Sequence, residues 1–126
     1  MNGLPEKSVL KLNGVHPHLS KLILECSRTI ESEFIITEGL RTLARQKILL
    51  AAGATRTLKS RHLNGHAVDL AVLINNEVRW DWPLYAKLAA EVKKVASKMK
   101  IQIVWGGDWK SFRDGPHFEL DRSFYP

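Results

Sequence analysis

The chain has 126 residues, 44% of them hydrophobic, which suffices for one core and leaves no length for a second domain of ordinary size. Its single cysteine, Cys26, rules out an internal disulfide framework, no stretch approaches the roughly 20 apolar residues of a membrane span, and the opening MNGLPEKS lacks a hydrophobic signal core. A net charge of +6 and a pI near 9.7 favour encounter with polyanions.

The first predicted helix covers residues 18–30 and buries Leu19, Leu22, Ile23, Cys26 and Ile30. Cys26 is therefore an inert apolar residue and not a nucleophile. His16 and His18 flank Pro17 ahead of that helix, where capping or surface roles suit them better than metal binding, since no acidic or thiol group accompanies them. A strand at 34–37 and a helix at 43–52, ended by Gly53, come next. The loop 54–64, rich in Thr, Lys and Arg, is expected to rim a cleft. A strand at 66–74 runs into a turn at Asn75 and Asn76.

The last predicted helix spans 83–99, with Pro83 in its first turn and Asp81 placed to satisfy free amides. Leu84, Leu88, Val92, Val95 and Met99 form its apolar stripe, so Lys93, Lys94, Lys98 and Lys100 read as its wet face and require no nucleic acid. Strands at 101–104 and 117–120 finish the chain. This order gives an α+β fold: a small, mostly antiparallel sheet that carries the polar chemistry, with helices packed on one face.

That chemistry lies in two stretches, SRHLNGHAVDLAV from Ser60 and WGGDWKSFRDGPHFEL from Trp105. A catalytic zinc takes about three protein ligands and keeps a further position for water. His62, Asp69 and His117 fill that quota with nitrogen and oxygen donors and no thiolate. Gly65 breaks any helix through the first stretch, so His62 sits in a loop, and the residues after it alternate as a strand. Ala67, Asp69, Ala71 and Leu73 share one face, whereas His66, Val68, Leu70 and Val72 point the other way, so His66 is not expected to be a ligand. A helical zinc pair of His62 and His66 is disfavoured, because Leu63 stands where such a motif needs its glutamate base.

In the second stretch Gly115 and Pro116 turn the chain into a strand on which His117 and Glu119 face the cleft while Phe118 and Leu120 face the core. Two carboxylates compete for the general base. Asp114 is placed to lean over the site from its loop, and Glu119, two residues deeper, is placed to orient a histidine. Trp105 is expected in the core or the cleft wall. Trp109, in the turn after Gly106 and Gly107, is balanced between a structural role and a place beside the substrate.

Ser60, His62, Gly65, Ala67 and Asp69 match the SxHxxGxAxD pattern, by which the chain resembles the zinc peptidases that include D-Ala-D-Ala carboxypeptidases and dipeptidases. The later WGGDW run with its terminal PHFEL resembles most the phage L-alanyl-D-glutamate endopeptidase endolysins. This resemblance implies zinc held by His62, Asp69 and His117, with Asp114 as the base. Residues 36–46, ITEGLRTLARQ, resemble the family's arginine-bearing turn, which assigns Arg41 to substrate holding or carbonyl polarisation. The dipeptidases carry glutamate three residues before the final histidine, and Asp114 at that place favours the endopeptidase branch.

The resemblance further implies the same α+β fold, peptidoglycan as substrate and lysis of a host cell. The whole chain, residues 1–126, is expected to be one catalytic domain with no separate wall-binding domain. It is expected to act as a monomer without membrane insertion, made in the host cytoplasm and reaching the wall once a holin-like protein has permeabilised the membrane. A D,D-carboxypeptidase would use the same site on D-Ala-D-Ala termini, and a non-catalytic wall-binding module would keep the ligands but have no need of Asp114.

Overall fold

Alternation in the segment after Gly65 turns Val68, Leu70 and Val72 into the core, and this segment becomes the strand on which the rest of the sheet is assembled. A computed structural model describes residues 3–55, 57 and 59–126. In chain order it has α1 (Glu6–Leu10), α2 (Pro17–Thr29), β1 (Glu33–Glu38), α3 (Leu43–Ala51), a 3-10 turn (Arg61–Asn64), β2 (Ala67–Ile74) and β3 (Glu77–Arg79). Then follow α4 (Trp82–Met99), β4 (Ile103–Trp105), a second 3-10 turn (Gly106–Asp108) and β5 (His117–Leu120). The expected α+β architecture is therefore present.

The sheet runs β1-β2-β5-β4, with β3 added to the far end of β2, and every pairing is antiparallel. Its register positions the chemistry. Asp69 on β2 lies opposite His117 on β5 and, across a register irregularity between Ile36 and Glu38, opposite Glu38 on β1. Side chains alternate across the sheet, so one row of polar residues crosses three strands on one face while Val68, Leu70, Phe118 and Leu120 enter the core on the other. There they meet Leu19, Leu22, Ile23 and Cys26 of α2 and Leu88 and Val92 of α4. Burial, with lesser contributions from Glu25 and Glu91, pushes the Cys26 thiol up to about 12. The inert reading of this cysteine follows from that.

Helix α4 differs from expectation in its rotation. Its buried residues are Tyr85, Leu88, Ala89, Val92 and Ala96, while Leu84, Val95 and Met99 are only partly buried at the edge of the core. Two alanines let the helix approach closely, and a stripe drawn through the large apolar residues misses them. Tyr85 joins the core because its hydroxyl donates to Arg79 O at 2.7 Å and accepts from Val72 N at 3.0 Å, which ties the helix to β2 and β3. Tyr85→Phe should therefore cost about 1–3 kcal/mol in a denaturation experiment by leaving the buried Val72 N–H without its partner and releasing the Arg79 carbonyl. An unchanged midpoint would contradict this.

Asp81 precedes α4 as expected, yet its carboxylate pairs with Arg79 at 2.9 Å and makes no capping bond to the helix amides. Its carbonyl accepts from Leu84 N instead, at 3.0 Å. The turn at Asn75 and Asn76 takes left-handed φ values of 52° and 66°, as a tight hairpin requires, and leads into β3, which sequence reading omitted. Lys93, Lys94, Lys98 and Lys100 are exposed, as read from the sequence. No helix among the described residues is long and apolar enough to cross a membrane.

Candidate metal centre

His62 lies not in an irregular loop but in the 3-10 turn Arg61–Asn64, whose N-terminus Ser60 caps by accepting from His62 N at 3.1 Å. Gly65 closes the turn at φ 76°, and a Cβ there would stand 2.3 Å from the Gly14 carbonyl oxygen, so glycine is required by both conformation and space. His62 is almost fully buried. Its Nδ1 is 2.9 Å from Gly39 O. A carbonyl can only accept, so Nδ1 donates this bond, and Nε2 faces Asp69 Oδ1, 3.2 Å away.

His117 is arranged in the opposite sense. Its Nε2 donates to Glu119 Oε1 at 2.8 Å, and its Nδ1 faces Asp69 Oδ1 at 3.3 Å. One ligand atom each from His62, Asp69 and His117 lies within 4.8 Å of the others, so this trio could hold a metal ion. The donor set, two imidazole nitrogens and a carboxylate oxygen, is one that suits a catalytic divalent ion. His66 is not in the trio, and its ring packs edge-on against His16 at 5.3 Å. His16 caps α2 by accepting from His18 N at 3.0 Å.

Charge is balanced tightly around Asp69. Burial alone would raise its pKa, but hydrogen bonds from His117 and His62 outweigh that and hold the carboxyl below the usual range. Burial would lower His117, and its bonds to Asp69 and Glu119 instead push it up to about 9. The folded protein thus holds the His117 proton more tightly than the unfolded chain does. That contribution to stability is fully present below pH about 6.5 and is lost as pH rises through about 9. An ion and a proton compete for the same nitrogen, so metal affinity should climb with pH over that window and binding at pH 7 should release a proton. Calorimetry in buffers of different ionisation heats reads this release directly, and a heat independent of buffer would contradict it.

Arg41 is buried, with Nε donating to Glu38 Oε1 at 2.9 Å, one terminal nitrogen to Gln46 Oε1 at 2.8 Å and the other 3.5 Å from Asp69 Oδ2. Its backbone N–H bonds His62 O at 2.9 Å, which locks the arginine-bearing turn to the histidine-bearing one. Asp114 is held differently. Among the described residues no hydrogen bond or ion pair engages its carboxylate, and burial together with the Asp69 charge raises its pKa. Its backbone is fixed through Asp114 N to Gly106 O at 3.1 Å and His117 N to Asp114 O at 3.3 Å. Gly106 permits this approach, since a Cβ there would sit 2.4 Å from Asp114 O.

These groups line a cleft of about 360 Å³. Trp109 lies in its wall with its ring 4.9 Å from that of His117, whereas Trp105 is buried and donates to Gly115 O at 2.6 Å. The loop 54–64 rims the cleft through Thr55, Thr57 and Lys59, as expected; Arg56 and Leu58 within it lie outside the described residues. Sequence reading missed Glu38, Gln46 and the Gly39 carbonyl. Only Glu38 gave a usable signal, a carboxylate three residues before Arg41; a backbone carbonyl has none.

Glu119 has one oxygen occupied by His117 and the other 3.8 Å from Arg122, so it is engaged where, among the described residues, the Asp114 carboxylate is not. Glu119→Ala should lower metal affinity about 10–100-fold by releasing the His117 ring. Titration with a competing chelator measures this, and unchanged affinity would contradict the arrangement.

Residues 3–125 match the family described as phage L-alanyl-D-glutamate peptidase. The chain is 32% identical over 106 residues to an L-alanyl-D-glutamate peptidase of Listeria phage A118, covering 84% of this chain and 37% of that one. It is 27% identical over 124 residues to the L-alanyl-D-glutamate peptidase of Escherichia phage T5, covering 95% and 90% respectively. It thus spans little more than a third of the first relative and nearly all of the second. Among solved structures it is similar to the Serratia marcescens L-Ala D-Glu endopeptidase ChiX, with a TM-score of 0.91, 41% identity and coverage of 99% and 95%.

Proposed function

Because the chain belongs to the phage L-alanyl-D-glutamate peptidase family, we propose that it is a zinc endopeptidase that hydrolyses the L-alanyl-D-glutamate bond of the peptidoglycan stem peptide. The observation that carries this reading is the convergence of His62 Nε2 and His117 Nδ1 on Asp69 Oδ1, in the same cleft as the carboxylate of Asp114, which no described residue engages. His62, Asp69 and His117 would hold the zinc. When bound, the ion would supply Lewis acidity, making water a nucleophile near neutral pH and polarising the scissile carbonyl.

The chain's own groups account for the proton traffic and the positioning. Asp114, raised by burial and by Asp69, takes the proton of the attacking water and passes it to the leaving amine. Arg41 steadies Asp69 through its terminal nitrogen and supplies positive charge on the side where the carbonyl oxygen becomes negative. Glu119 fixes His117 in the ring orientation that frees Nδ1. Trp109 offers a flat apolar wall to the substrate beside that ring.

In this reading the protein contributes to host cell lysis, acts as a monomer, and meets the wall from the cytoplasmic side once a holin-like protein has permeabilised the membrane. The net charge of +6 favours its encounter with an anionic wall. Digestion of purified peptidoglycan, with a chelated control, tests the activity, and release of free D-Ala would move it to the D,D-carboxypeptidase reaction.

A further inference from the structure

Helix α3 is seated on the protein by a polar residue. Among the described residues its one buried side chain is that of Gln46, while Leu43, Ile48 and Leu50 stay exposed and none of its residues joins the hydrophobic core. An apolar face does not hold this helix in place. A buried amide with unpaired groups would oppose folding, so the position of Gln46 is decided by the partners it meets. Its Oε1 accepts from a terminal nitrogen of Arg41 at 2.8 Å, and its Nε2 donates to Thr57 O at 2.6 Å and to Thr55 Oγ1 at 3.3 Å. A guanidinium only donates and a carbonyl only accepts, so the amide has a single orientation here.

The two ends of this amide hold two different parts of the cleft lining. At one end Arg41 also donates from Nε to Glu38 Oε1 at 2.9 Å, so Glu38 and Gln46 together fix the plane of the guanidinium whose remaining nitrogen lies 3.5 Å from Asp69 Oδ2. At the other end lies the rim formed by Thr55, Thr57 and Lys59, in which Lys59 N donates to Thr57 Oγ1 at 2.8 Å. Among the described residues no hydrogen bond joins Arg41 to this rim directly; Gln46 stands between them. We propose that Gln46 is a positioning residue that couples Arg41 to the rim, so that the guanidinium facing Asp69 and the wall carrying Thr55, Thr57 and Lys59 are set as one unit. Loosening either end then loosens the other, since coupling through a shared element is reciprocal.

The inference rests on the reading of the site as a peptidase, and two measurements on the zinc-loaded protein separate the two. The first is the rate of tryptic cleavage after Lys59, which follows the population of the detached rim. Gln46→Met should raise that rate about tenfold, as the loss of one hydrogen bond implies. Arg41→Met should raise it as well, although the Arg41 side chain bonds no described rim residue; a Gln46 that merely anchored the rim would leave the rate unchanged there. The second is turnover of peptidoglycan fragments. Gln46→Met should lower kcat about 10–100-fold, the scale of loss for a misplaced group, and should lower it no further in the Arg41→Met background. Gln46→Glu keeps an acceptor for Arg41 and gives up the donation to Thr57 O, so it should speed tryptic cleavage while losing less kcat than Gln46→Met. Unchanged tryptic cleavage in Arg41→Met, or a further loss of kcat when Gln46→Met is added to it, would overturn the proposal. If the unmodified protein cleaves no peptidoglycan while the tryptic coupling persists, the peptidase reading fails and the coupling stands.

Discussion

Asp114→Ala is expected to lower the turnover of peptidoglycan fragments by about 10²–10⁴-fold, the range that a positioned general base contributes. Zinc content and fold should be unchanged. Among the described residues nothing is bonded to the Asp114 carboxylate, so its removal strands no partner, and the three residues that could hold the ion do not depend on it for orientation. The loss should fall on kcat rather than on KM, because in the proposed reaction the carboxylate would act on the proton of the attacking water and not on the resting peptide. Burial and the Asp69 charge raise its pKa, which makes it a stronger base than an ordinary aspartate. Near-normal turnover in this variant would require another group as base, and Glu119 would be the next residue to replace.

Asp69→Ala should have the second large effect, on metal binding and stability together. Both ion-facing nitrogens and a terminal nitrogen of Arg41 converge on this carboxylate. Without it, His62 and His117 lose their shared counter-charge, and an ion held by the trio would lose its proposed oxygen ligand. For the unmodified protein, zinc at 100 times its Kd should add about 2.7 kcal/mol of stability. In a chain of this size that corresponds to a rise in Tm of roughly 10 °C. The variant should show no zinc-dependent rise and no hydrolysis. A full zinc shift in Asp69→Ala would mean that the ion is held elsewhere.

Much of the candidate centre was legible because the chemistry is written in side chains at fixed spacing. His62 and Asp69 flank a glycine that only a left-handed turn explains, and alternation along β2 put Asp69 on the face away from Val68 and Leu70. The register that sets Asp69 opposite His117 was not legible, since it is decided by pairing between segments nearly fifty residues apart. Nor was the tautomer of His62, which a backbone oxygen fixes.

Element boundaries for α2, α3 and β5 fell within a residue or two, because strong apolar patterns and the breaks at Pro17, Gly53 and Pro116 punctuate them. Short elements without an apolar face escaped. Helix α1 is five residues long and β3 has three exposed residues, Glu77, Val78 and Arg79. The rotation of α4 was misjudged for the complementary reason: Ala89, Ala96 and Tyr85 bury through close approach and hydrogen bonding, which a count of large apolar residues does not register.

The most direct test of the central claim is digestion of purified peptidoglycan by the zinc-loaded protein, with released fragments and new termini read by mass spectrometry beside a chelated sample. The account predicts stem peptides that begin at D-glutamate, with L-alanine as the new carboxyl terminus on the glycan side, and their disappearance on chelation. Released D-alanine, or the absence of any metal-dependent product from every wall type, would contradict it.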